Sequence, residues 1–223
     1  MTALSFQKQL EHAANRKVKI RINDNHSTML SVKWEPECTK VSIHRIFLEA
    51  PQNIMDAVAC HIRKKNSVVA PTVKAYIEDK LRTLDYSSQI DRTRLSTKGN
   101  VYDLQALYEE INATYFDNQV NITITWFGNP NHRSKSKVTF GLYYEPLRLI
   151  KIHRMMDRRF FPEYFVKFVI YHEMLHHVSP SYYDDKGRHR IHTKEFKQLE
   201  KKFRDFERAE AWLEKHQQNF FIS

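Results

Sequence analysis

The second half of the sequence predicts an α+β fold, from one helical pattern and the three strand patterns that follow it. Residues 101–116 have the apolar spacing of an amphipathic helix, with one face formed by Leu104, Leu107, Tyr108 and Ile111. Three runs rich in β-branched and aromatic residues come next, NITITWF, KVTFGLYY and LIKIHR. Two helical segments after the strands complete the order of an α+β domain.

The first of these later helices starts near Pro162. Proline suits the first turn of a helix because its φ is already helical and no N–H donor is needed there, so we predict a helix over residues 162–178. A charged loop is predicted over residues 179–190, which contain Pro180 and Gly187. One long charged helix is predicted over residues 193–216.

The first half of the chain repeats part of this pattern. PQNIMDAVACHIRKK matches PEYFVKFVIYHEMLH without a gap, which pairs Pro51 with Pro162 and His61 with His172. Three shorter matches keep the same order along the chain: VSIHR with IKIHR, VKIRI with VNITI, and IEDKLRTL with LEKKFRDF. Matched segments in one order indicate duplication. We therefore predict two tandem units, residues 1–84 and 101–223, joined by a polar linker over 85–100.

Charge is unevenly distributed between the two halves. The 223 residues carry a formal charge of +10. Residues 1–100 hold 17 Lys or Arg and 10 Asp or Glu, a balance of +7, and the rest hold 19 and 16, a balance of +3. A basic half favours an anionic partner such as nucleic acid; the alternative is a basic surface with no specific partner.

Other sequence features narrow the class of protein. Cys38 and Cys60 are too few for a disulfide framework or a cysteine-based zinc ribbon. No run of about 18 apolar residues predicts a membrane span, and the first residues do not resemble a signal peptide. We expect a cytoplasmic protein that does not enter the membrane.

The sequence His172-Glu173-Met174-Leu175-His176 is an H-E-x-x-H motif. Residues four apart lie on one face of a helix, so both imidazoles can reach one metal ion. Glu173 lies beside the first ligand, where its carboxylate can act on a metal-bound water without coordinating the metal. We expect His172 and His176 to be metal ligands and Glu173 to be catalytic.

A catalytic zinc takes three protein ligands, so a third is expected after His176. His177 points about 100° away around the helix and cannot easily share the metal. Tyr182 occupies the position of the third histidine of a metzincin, which excludes that subclass. From the residues alone the candidates remain His189, His192, Glu195 and Glu200.

At this point the chain resembles the SprT-like zinc metallopeptidases. The family pattern is HExxH, a loop and then H-G-x-x-F, which here corresponds to residues 192–196 with Thr193 in place of glycine. LYEEINATYFDNQV is similar to the opening helix of the family. The resemblance implies a zincin-like fold, Zn2+ as cofactor and His192 as the third ligand. It also implies hydrolysis of peptide bonds in protein or peptide substrates by a zinc-activated water, with Glu173 as general base. Eukaryotic members cleave proteins crosslinked to DNA.

The first unit lacks most of this motif. In the alignment Ile62 replaces Glu173, Lys65 replaces His176 and Ala70 replaces His192. We expect this unit to be free of metal, with His61 a packed or surface residue. It could be a platform for nucleic acid or an acidic protein, or it could be structural.

Two other functions remain open from the sequence. One is a non-enzymatic basic module that binds nucleic acid or protein and has a structural or vestigial metal site. The other is metal-dependent hydrolysis of a bond other than a peptide bond, since the peptide substrate comes from the resemblance and not from residue spacing.

Overall fold

The computed structural model describes residues 2–25, 28–64, 68–131, 138–184 and 188–220. The chain divides into two compact units. The first comprises Met1–Leu84 together with Tyr182–Arg190, and the second comprises Asp85–Ser181 together with Ile191–Ser223. Within the described residues, no helix has both the length and the apolar character needed to cross a membrane.

The first unit has a helix, three strands and two further helices. They are α1 (Ala3–Ala14), β1 (Val18–Asn23), β2 (Leu30–Trp34), β3 (Thr39–His44), α2 (Gln52–Arg63) and α3 (Pro71–Thr83). The strand order is β1-β3-β2, with β1 parallel and β2 antiparallel to β3. Alternation along β3 turns Val41 and Ile43 toward Leu10 of α1 and Val58 of α2, and this forms the core.

A two-stranded hairpin from later in the chain belongs to the first unit. Its strands are β7 (Tyr182–Tyr183) and β8 (His189–Arg190), where the sequence predicts a charged loop. The His189 ring stacks on Tyr183 at 4.6 Å between ring centroids, and its Nε2 lies 2.7 Å from Oε1 of Glu78 on α3. The contact with Glu78, which lies 111 residues away in sequence, explains why composition predicts only a loop.

The second unit repeats the element order and confirms the α+β prediction. Its elements are α4 (Leu104–Tyr115), β4 (Thr123–Phe127), β5 (Gly141–Tyr144), β6 (Leu149–His153), α5 (Glu163–Val178), α6 (Lys194–Glu200) and α7 (Phe206–His216). The strand order is β4-β6-β5, with β4 parallel and β5 antiparallel to β6. The predicted strand KVTFGLYY begins at Lys137, which lies outside the described residues. Of its described residues, only Gly141–Tyr144 are strand. Residues 85–100, predicted to be a linker, belong to this unit and contain two 3-10 turns.

The prediction of one C-terminal helix was wrong, because the chain turns between α6 and α7. Two tyrosines bind the backbone groups released there. The Tyr171 hydroxyl donates to the Leu199 carbonyl at 2.7 Å, and the Tyr115 hydroxyl accepts from the Arg204 N–H at 3.1 Å. The turn buries Phe203 against the rings of these tyrosines. Tertiary contacts therefore override a continuous helical pattern.

Candidate metal centre

Helix α5 carries the HExxH motif through the core of the second unit. It is apolar on most of its circumference, with Phe165, Val166, Ile170 and Met174 buried. Pro162 precedes the first turn in an extended conformation, and Glu163 pairs with Lys167 at 2.7 Å one turn later. A helix held on several sides presents the two motif histidines in a defined direction.

His192 is placed by the start of α6. Thr193 caps this helix, since its Oγ1 accepts the Phe196 N–H at 3.0 Å. The φ of Thr193 is −67°, which any residue adopts, so this position does not require the glycine of the SprT-like pattern. Threonine at position 193 is therefore compatible with the placement of His192 directly before α6.

The structure brings His172, His176 and His192 together. One ring nitrogen from each lies within 4.8 Å of the others, and the ring centroids are 5.0 to 5.2 Å apart. In the part of the chain that the structure describes, this is the one group of three or more His, Cys, Asp or Glu side chains close enough to hold a metal ion. The group could therefore hold a metal.

Phe196 lies against all three imidazoles. Its ring centroid is 5.1 Å from that of His172 and 4.8 Å from those of His176 and His192, and the side chain is fully buried. An apolar ring on one side limits the orientations available to the histidines and keeps water from that side. The residue one helical turn after His192 thus supports the ligand group.

Glu200 contacts the first of the three histidines. Its Oε1 lies 2.6 Å from Nδ1 of His172, so Nε2 is the nitrogen left for a metal. Sequence reasoning considered Glu200 only as an alternative ligand and missed this role. A partial signal was the four-residue spacing of Phe196 and Glu200, which places them on one face of the helix that starts just after His192.

Glu173 is buried beside the group without joining it. The side chain is 6 % exposed, and burial raises its pKa to about 7. The nearby imidazole of His172 and a hydrogen bond from the backbone N–H of Tyr143 act in the opposite direction. A carboxyl group with a pKa near neutrality can both accept and return a proton.

Strand β5 approaches Glu173 closely at Gly141. A Cβ added to Gly141 would lie 2.5 Å from Oε1 of Glu173, well inside van der Waals contact. A glycine within a strand often marks such an approach. This glycine therefore makes room for the carboxylate.

The electrostatics favour neutral imidazoles at His176 and His192. Burial lowers the pKa of His176 to about 3, with further contributions from His172 and His192. Burial also lowers the pKa of His192, to which His172 adds. Neutral imidazole is the form that binds a metal ion, so the donor set fits a divalent cation such as zinc.

The other candidate ligands lie outside this group. Nδ1 of His177 lies 2.7 Å from the Tyr143 hydroxyl. His189 contacts Glu78 in the first unit. Glu195 is exposed at the start of α6 and is not part of the cluster.

The first unit places its aligned residues differently. His61 packs edge-on against Trp34 at 5.5 Å between ring centroids, and burial lowers its pKa. Ile62 is fully buried, and Ala70 precedes α3. Lys65, aligned with His176, lies outside the described residues. The absence of a metal from this unit stays a prediction.

Comparisons of the chain with models of protein families, with curated proteins and with solved structures gave no match.

Proposed function

We propose that the chain is a zinc-dependent metallopeptidase of the SprT-like kind with a zincin-like second unit, in which His172, His176 and His192 hold the metal and Glu173 is the general base. The observation that carries the proposal is the convergence of three imidazoles beside a buried carboxylate that is not one of them. With three histidines as its protein ligands, a zinc ion would still be able to bind water or substrate.

When bound, zinc supplies Lewis-acid polarisation of a carbonyl and lowers the pKa of water. The residues of the chain supply the remaining functions. Glu173 accepts a proton from the attacking water and returns it to the leaving amine. Burial raises the pKa of this carboxyl group in the metal-free chain, which is compatible with both roles. Glu200 holds the His172 ring in one tautomer and orientation.

Strand β5 is the proposed binding edge for the substrate. It pairs with β6 on one side and is the last strand of its sheet in the described part of the chain. An extended peptide can bind such an edge through backbone hydrogen bonds. Because Gly141 on this strand adjoins Glu173, a peptide at this edge would pass the general base.

We further propose that the two units are tandem copies. Their strands have the same order and the same parallel and antiparallel pairing. His44 and His153, each at the end of its central strand, accept the backbone N–H two residues later through Nδ1, at 3.2 and 3.1 Å. A shared local hydrogen bond in addition to shared topology supports a common origin.

The strand registers change one detail of the sequence alignment. Ile20 pairs with Val41, and Ile124 pairs with Ile150. Since Val41 matches Ile150 in the VSIHR and IKIHR segments, Ile20 corresponds to Ile124. The match of VKIRI with VNITI is therefore shifted by two residues, which keeps every side chain on the same face.

The zinc content of the purified chain tests the proposal, with casein cleavage measured on the same samples. We expect one zinc per chain, lost together with cleavage in His192→Ala. His189→Ala is the matched control, since His189 lies outside the cluster, and it should retain zinc. A wild-type chain that binds no zinc and cleaves nothing would leave the non-enzymatic binding module as the better account.

A further inference from the structure

The outer face of the sheet in the first unit carries a row of three lysines. Lys40 on the central strand β3 lies in register with Lys33 on β2 and with Lys19 on β1. All three side chains are exposed. The apolar residues that alternate with these lysines along each strand turn toward the helices. The row therefore crosses all three strands on the side away from the core.

The positive charge continues along the edge strand. Lys17 and Arg21 flank Lys19 at two-residue spacing, so they extend the same face. Within the described residues, no carboxylate lies within ion-pair distance of Lys17, Lys19 or Arg21. The basic face, as we call it, consists of Lys17, Lys19, Arg21, Lys33 and Lys40.

Acidic residues offset only part of this charge. Glu35 lies 2.7 Å from the ammonium of Lys40 and 3.2 Å from that of Lys33. These contacts lower the pKa of Glu35, with Lys40 the larger cause. Glu37 is exposed in the turn that follows β2. Counting both acids, the five basic side chains retain an excess of three positive charges.

The fold does not require these cations. Like charges directly opposite each other on neighbouring strands destabilise a sheet. Through the strand registers, Lys33, Lys40 and Lys19 correspond to Tyr144, Leu149 and Thr123 in the second unit. The second unit thus forms the same sheet topology with uncharged residues at these three positions. The three lysines of the first unit are therefore not explained by the needs of the fold.

We infer that the basic face binds the phosphate backbone of nucleic acid. The backbone positions that carry neighbouring cations are about 4.8 Å apart across the strands and about 6.6 Å apart along them. Duplex DNA presents one negative charge for about every 1.7 Å of its axis. A dense line of phosphates can therefore satisfy several of these cations together, whereas a single carboxylate satisfies one or two.

The composition of the face favours nucleic acid over an acidic protein. Its remaining outward residues are polar: Ser31 is exposed, and Asn23 donates a hydrogen bond to Ser42 at 2.8 Å. None of the exposed large apolar side chains of the described residues lies on this sheet. Protein interfaces have an apolar core, and this face lacks one. The inference is independent of the metal centre in the second unit.

Binding of the full-length chain to a fluorescein-labelled DNA duplex of about 20 base pairs, followed by anisotropy against salt concentration, tests the inference. The variant combines Lys19→Gln, Lys33→Gln and Lys40→Gln. The control combines Lys8→Gln, Arg63→Gln and Lys64→Gln, which removes equal charge from exposed positions on α1 and at the end of α2 in the same unit. Circular dichroism and the zinc content verify that each protein is folded.

We expect the lysine-row variant to bind at least about tenfold more weakly at low salt. Its slope of log K against log salt should fall by about 2.7, or about 0.9 for each lost phosphate contact. The control should retain the wild-type slope. The inference is overturned if wild type does not bind, if both variants lose affinity equally, or if polyglutamate of equal charge displaces the duplex as well as unlabelled DNA does.

Discussion

Oε1 of Glu200 lies 2.6 Å from Nδ1 of His172, and this contact joins the helix that follows the third histidine to the helix that carries the first two. When one ring nitrogen of a histidine binds a metal, a carboxylate that contacts the other ring nitrogen fixes the tautomer of the histidine and increases its basicity. The C-terminal end of α6 therefore contributes to the candidate metal centre as well as its beginning.

Replacing Glu200 tests this contact. We expect Glu200→Gln to weaken zinc binding by about 10- to 100-fold, because the ring of His172 loses its charged partner. Competition with a chromogenic chelator measures the affinity. Glu195→Gln, an exposed glutamate on the same helix, is the control and should bind zinc as wild type does. Equal affinity in the two variants would show that Glu200 has no part in the centre.

A side chain at position 141 should displace the general base. In Gly141→Ala the added Cβ would lie 2.5 Å from Oε1 of Glu173, so the carboxylate or the strand has to move. We expect peptide cleavage to fall by at least about tenfold while one zinc per chain is retained, since displacements of this size are costly in catalysis. Zinc analysis and a fluorogenic peptide assay on one sample separate the two effects, and unchanged cleavage would refute the close approach.

The buried Glu173 makes the stability of the metal-free protein depend on pH. Its pKa is about 7 in the folded chain against 4.5 as a free group, so the folded state favours the protonated form. Stability from this group is present below pH 4.5 and is lost as the pH rises through 7. A shift of this size corresponds to about 3 kcal/mol.

Glu173→Gln removes this titration and leaves that of His176 unchanged. Urea unfolding in excess chelator at pH 5 and pH 8 should show the free energy of unfolding of the wild type falling relative to that of the variant, by up to about 3 kcal/mol. The difference between the two proteins is the relevant quantity, because other titrating groups are common to both. A constant difference between pH 5 and pH 8 would contradict the raised pKa.

Asp157 anchors the segment that precedes α4. Its carboxylate accepts the backbone N–H groups of Asn100, Val101 and Tyr102 at 2.6, 2.8 and 3.2 Å, and the side chain is buried. Asp157→Ala leaves these donors without their partner, and we expect the second unit to lose about 3 kcal/mol of stability in urea unfolding. Asp91→Ala, at an exposed turn, should change stability by less than about 1 kcal/mol; equal losses would argue against the anchor.

Much of the site could be predicted from the sequence, and the missing parts depend on contacts between distant residues. His172, Glu173 and His176 follow from the period of one helix. His192 was selected by the resemblance, since His189 lies on the same loop and spacing alone did not separate them. The structure distinguishes the two histidines, because His189 lies in the hairpin that belongs to the first unit. There it contacts Glu78 and Tyr183.

In the fold, too, local sequence patterns predict individual elements but not the features that depend on tertiary contacts. Strand β6 and helix α5 lie where the patterns predict them, because each is a nearly continuous apolar segment that is buried along most of its length. The turn between α6 and α7 was missed, since no glycine or proline marks it and the stabilising hydroxyls come from Tyr115 and Tyr171. The contact of Glu200 with His172 spans 28 residues and could not be derived from either helix alone.

Turnover by the zinc-loaded Glu173→Gln variant, compared with wild type at equal zinc content, tests the central claim most directly. Because Glu173 lies outside the ligand cluster, we expect the variant to bind one zinc per chain and to lose peptide cleavage by at least about a hundredfold. Cleavage by the variant at the wild-type rate, with zinc bound equally, would contradict the proposed role of Glu173 and with it the peptidase mechanism.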